Sequence, residues 1–99
     1  MVKFSITDTE ASIMICGYDK TGKQVGLIYI FYVDEARELF GPLYYDSADE
    51  AVEEARKIYR ERLADRFPMA TKEEIDDICD RVIFIASDFI EDEYFEKDR

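Results

Sequence analysis

The stretch GYDKTGKQ, residues 17–24, can be read in two ways, and the two readings lead to different folds. Gly17, Gly22 and Lys23 stand where a phosphate-binding loop, G-x-x-x-x-G-K-[ST], would place them, but Gln24 replaces the final hydroxyl residue. Such a loop works only between a strand and a helix, because the free amides of the helix N-terminus hold the phosphates. The residues after Lys23 are QVGLIYIFYV, rich in β-branched and aromatic side chains, which is strand sequence. The second reading is a tight hairpin in which Asp19 opens the turn and Gly22 supplies its positive φ. The hairpin reading removes the nucleotide signal and makes an antiparallel meander the first half of the fold.

Working outward, Val2, Phe4 and Ile6 alternate with Lys3 and Ser5, which predicts a strand over residues 2–6. Asp8, Thr9 and Glu10 interrupt it, and Ile13–Tyr18 is the second strand. Residues 24–33 form the third, apolar on both faces. That pattern predicts a central strand, or one with helices on one side and a partner on the other. Residues 34–40 admit two readings. One is a short helical turn with Ala36, Leu39 and Phe40 on one side, ended by Gly41-Pro42; the other is a strand over 37–40 with Gly41-Pro42 as its turn. Residues 43–45, Leu-Tyr-Tyr, predict a short fourth strand.

Two helices come next. Ser47-Ala-Asp-Glu50 is a capping box, in which hydroxyl and carboxylate each satisfy a free backbone amide. Ala51, Val52, Ala55, Ile58, Tyr59 and Leu63 make one apolar face, Glu53–Lys57 and Lys57–Glu61 are spaced for pairing, and Pro68 ends the helix near 67. Thr71-Lys-Glu-Glu74 is a second box. It opens a long acidic helix over 71–95, with Ile75, Ile78, Cys79, Val82, Ile85, Ala86, Phe89 and Ile90 in one stripe. The terminal run EDEYFEKDR is expected to fray. The fold class is α+β: a three- to four-stranded antiparallel meander followed by two helices packed on it, in a single domain of 99 residues.

Composition narrows the chemistry. The chain has no histidine, so it contains no Ser-His or Cys-His couple and no histidine metal site. Cys16 and Cys79 lie in apolar runs and read as buried free thiols. No secretory signal is visible and the longest apolar run, VGLIYIFYV, is too short to span a bilayer, which leads us to expect a cytoplasmic protein. Asp76, Asp77 and Asp80 fall within about one and a half helical turns. They lack the central glycine of a calcium loop and any phosphate-binding element beside them, so the reading is a solvated face with no metal and no cofactor. No paired carboxylates are marked as lying in a cleft, and no enzymatic activity is expected.

The net charge is −11, and it is unevenly placed. Residues 71–96 hold ten acids against Lys72 and Arg81 alone. A chain this acidic repels nucleic acid and anionic membranes and suits a basic protein partner. On a helical wheel, Glu73, Asp76, Asp77, Asp80, Asp88 and Glu91 lie opposite the apolar stripe, with Phe84 among them. Phe84 is either an interface anchor, or is turned inward by a different helix rotation, or is covered by the connection over 34–45. From Glu73 to Glu91 the row spans about 27 Å, roughly eight base pairs of duplex. In size, acidity and layout the chain resembles small phage-encoded inhibitors of the anti-CRISPR and DNA-mimic type. That resemblance implies a non-enzymatic protein that blocks the basic nucleic-acid-binding surface of a nuclease complex, in the host cytoplasm. Two other readings stand beside it: an immunity protein or antitoxin against a basic nuclease toxin, and a subunit that builds a homo-oligomer through its third strand or Phe84.

Overall fold

In the computed structural model, residues 1–97 are described. They form strands β1 (Lys3–Asp8), β2 (Ile13–Tyr18) and β3 (Gln24–Ile30), then helices α1 (Tyr32–Glu38), α2 (Ala48–Arg66) and α3 (Lys72–Lys97). The sheet is antiparallel in the order β1-β2-β3, an α+β arrangement with the expected meander. The β2–β3 connection is the hairpin. Asp19 Oδ1 accepts from Thr21 N–H (2.9 Å), Thr21 Oγ1–H (2.6 Å) and Lys23 N–H (3.0 Å), and Gly22 has φ +87°. These donors, the Thr21 hydroxyl first, hold the Asp19 carboxyl below its usual value.

Register explains which side of the sheet is covered. Phe4, Ile6, Ile13, Ile15, Ile28 and Ile30 align on one face and pack into or against the core with the helices. Gly17 pairs with Gly26 on that same face. A Cβ at either would lie 2.6 or 2.7 Å from Phe67 Cε1, so the two glycines leave the space that the Phe67 ring fills at the end of α2. Phe4 meets that ring edge-on, with centroids 5.0 Å apart. Gly17, first residue of the phosphate-loop pattern, is therefore a packing glycine.

Several expectations change. The third strand ends at Ile30 and not at 33, and with a neighbour on one side only it is an edge strand. The chain turns at Phe31 into α1, because Tyr32, Ala36 and Phe40 repeat at helical spacing and bury together. Leu39, expected on the same side as Ala36 and Phe40, is 41% exposed. Residues 43–45 form no strand: Tyr44 N–H closes a turn onto Gly41 O at 3.0 Å, and Leu43 is 90% exposed. Pro42 has no N–H to give a ladder there.

Both predicted caps hold α2 and α3. Ser47 Oγ accepts from Glu50 N–H at 3.2 Å. Thr71 and Glu74 make the reciprocal pair, at 2.8 and 3.1 Å. The other Glu74 oxygen accepts from Val2 N–H at 3.0 Å, fastening β1 to the start of α3. Lys57 pairs with Glu54 (3.4 Å) rather than with Glu53 or Glu61. At its far end α3 stays helical through Lys97; residues 98 and 99 of the run expected to fray lie outside the described residues.

Candidate functional site

The buried arc of α3 runs through Ile75, Ile78, Cys79, Val82, Ile83, Ala86 and Ile90. It is wider toward α2 than a stripe centred on Val82 implies, because α3 packs against both α1 and α2. Ile83 is therefore buried, at 4% exposure. Ile85 and Phe89, placed in the stripe by their spacing, are only partly covered. Phe89 instead meets the ring of Tyr32 edge-on at 5.0 Å. Tyr32 O–H donates to Asp8 Oδ1 at 3.0 Å, which ties α1 to β1.

The six acids expected on one open face of α3 divide into two sets. Asp76 and Asp80 lean toward α2. Asp76 Oδ1 lies 2.9 Å from Arg60 Nε, an ion pair without the alignment of a hydrogen bond. Asp80 pairs with Arg56. Glu73, Asp77, Asp88 and Glu91 are exposed and have no ion-pair partner among the described residues. Phe84 is 81% exposed among these four, and the connection over 34–45 does not cover it. About 17 Å of helix separates Asp77 from Asp88. The outward face is thus two pairs of carboxylates flanking an aromatic ring, and not an even row.

A shallow groove of about 580 Å³ runs beside that ring, lined by Ile6, Asp77, Asp80, Arg81, Phe84 and Ile85. Its lining sets apolar Ile6, Phe84 and Ile85 beside charged Asp77, Asp80 and Arg81. It lies between α3 and β1, the strand at the other edge of the sheet. The sequence marks only half of this combination: it singles out the acids and Phe84, while alternation and helical spacing assign Ile6 and Ile85 to the core.

A second charged cluster carries no signal in the sequence. Glu35, largely covered, accepts from Tyr59 O–H at 2.9 Å and from Arg62 Nη1–H at 2.9 and 3.1 Å. The Arg62 guanidinium also lies over the Tyr59 ring, 5.3 Å from its centroid. Burial, then the Glu35 charge, pushes the Tyr59 hydroxyl well above its usual value, so it stays a neutral donor. The cluster joins α1 to α2. Nothing in the sequence pairs Glu35 with residues 24 and 27 positions away until α1 exists.

Both cysteines are free and buried. Burial raises the Cys79 thiol, with Arg60 and Arg56 opposing, and Cys79 Sγ–H faces Arg56 O at 3.5 Å. Such a thiol is a packing group and not an activated nucleophile. Among the described residues no group of three or more Cys, Asp or Glu side chains is placed to hold a metal ion. No helix there is long and apolar enough to cross a membrane. Comparison with protein-family models, curated proteins and solved structures gave no match, so the reading of this face rests on its own chemistry.

Proposed function

We propose that this chain is a non-enzymatic binding protein whose outward α3 face docks on a basic protein surface, that of a nuclease or effector complex which holds nucleic acid, and blocks it. The observation that carries this reading is Phe84, 81% exposed at the centre of four carboxylates that have no ion-pair partner among the described residues, and beside a groove lined by Ile6 and Ile85 as well as by charges. An isolated aromatic on a charged helix face gains nothing from water, whereas aromatic anchors ringed by polar groups dominate binding energy at interfaces. The carboxylate pairs steer a cationic partner and exclude anionic ones. The split of the acids favours a partner with a pocket for the ring flanked by cations, over one that reads an even ladder of phosphates. An immunity protein facing a basic nuclease toxin would use the same surface, and the identity of the partner separates the two.

The test is affinity capture from a lysate of the source or its host, with the unaltered chain, Phe84→Ala and Asp77→Lys/Asp88→Lys as parallel baits. The expected result is a basic nucleic-acid-binding protein retained by the first bait and lost from both variants. Its nuclease activity should then fall when the purified chain is added, and retention should weaken as salt rises. A partner held equally by all three baits, or one that is not basic, contradicts the proposal.

A further inference from the structure

The helices cover only one side of the sheet, and we infer that the other side is a self-association surface: two copies of this chain pack their sheets face to face. Register places Ser5, Cys16 and Leu27 in one row of the outer face and Thr7, Met14 and Tyr29 in the next. None of these six belongs to or packs against the core under the helices; Cys16 is already buried among its neighbours on this face, Met14 and Leu27 are half-buried, and Tyr29 stands out from it. Tyr29 is 50% exposed, and Phe31, just beyond β3, is 51% exposed and stacked on it at 6.3 Å with the rings 20° apart. The apolar outer side of β3 expected from sequence therefore exists, on an edge strand.

Charge names the occupant. The chain carries 24 acids, yet no strand residue directed to this face is acidic, and Lys3 at the β1 edge is its one charged strand residue; Arg66 reaches the β3 edge from α2, its Nη1–H donating to Leu27 O at 2.8 Å. Two copies meeting through α3 would oppose Asp77, Asp88 and Glu91 with their own kind. Two copies meeting through the outer sheet face oppose no like charges at its centre and keep both α3 faces outward. A basic partner finds no carboxylate here, and Lys3 and Arg66 at opposite edges, on a chain of net charge −11, do not hold nucleic acid. A second copy satisfies the face isologously, with Tyr29 and Phe31 of each entering beside Met14 and Leu27 of the other at the usual sheet spacing of about 10 Å.

The size of the face sets the strength. Three strands of about six residues cover roughly 14 by 20 Å. This is small beside the roughly 800 Å² per partner of a durable complex. The dimer is accordingly weak, reversible and dependent on concentration.

Sedimentation velocity on the full chain, from low to high micromolar concentration, tests this. The expected result is a monomer–dimer equilibrium whose dissociation constant rises about tenfold or more in Tyr29→Lys, while Phe84→Lys leaves it unchanged. Circular dichroism confirms folding, and Phe31→Lys, outside the ladder, gives the same readout should Tyr29→Lys disturb the sheet. A chain that stays monomeric throughout overturns the inference. So does a dimer weakened by Phe84→Lys and indifferent to the sheet variants.

Discussion

The two flanks of α3 use the same residue types for different ends. On the flank toward α2, Asp76 and Asp80 meet Arg60 and Arg56, and the charges close a seam between helices. On the outward flank, Asp77, Asp88 and Glu91 are exposed to water, with Phe84 between Asp77 and the other two. Acidity alone distinguishes nothing here; the presence or absence of a cation on the neighbouring helix does. Like-charged neighbours on an exposed helix destabilise it by a few tenths of a kcal/mol per pair, so the outward set is not explained by stability.

Adjacent residues give the sharpest contrast. Ile83 is buried and Phe84 is exposed. Ile83→Ala should lower the unfolding free energy by about 2–5 kcal/mol, and Phe84→Ala by less than about 0.5 kcal/mol, in denaturant melts. Equal losses would return Phe84 to the core and erase the distinction between flanks.

A smaller effect is expected in the β2–β3 hairpin. Gly17→Ala drives a methyl against Phe67 and should cost about 1–3 kcal/mol by thermal unfolding. Lys23→Ala, on the exposed turn, should change neither stability nor any nucleotide binding. ATP binding that vanished in that variant would restore the phosphate-loop reading.

The start of α3 comes next. Thr71→Ala should cost about 1 kcal/mol. Hydrogen bonds from Thr71 N–H first, then from Val2 N–H, hold the Glu74 carboxyl below its usual value. Its folded pKa lies under its unfolded one, so its contribution is complete above the ordinary carboxylate range and disappears as pH falls below it. Stability measured against pH should therefore drop less steeply on the acid side in Glu74→Gln. The seam gives the smallest change: Arg56→Gln should lower stability by no more than about 1 kcal/mol, since Asp80 is largely exposed.

The elements legible from sequence are those set by local chemistry. Asp19 with Gly22, and Thr71 with Glu74, each carry their own hydrogen-bonding solution, and the structure shows both. The features that escape the sequence depend on contacts between elements. The apolar run through Val33 looks like continuous strand, yet the packing of Tyr32, Ala36 and Phe40 converts its end to helix. Ile83, and the division of the acids, follow from where α2 lies, which no pattern within α3 encodes. Asp80, open to solvent on a helical wheel, has Arg56 beside it for the same reason.

The outward carboxylates of α3 are not there to hold the fold. The decisive measurement is the unfolding free energy, at low salt, of the triple variant Asp77→Asn, Asp88→Asn, Glu91→Gln. Glu73 is left in place because an acid in the first turn favours the helix dipole. The predicted result is a folded protein at least as stable as the parent, with the small gain fading as salt rises. A loss of more than about 1 kcal/mol would show that these groups serve stability after all.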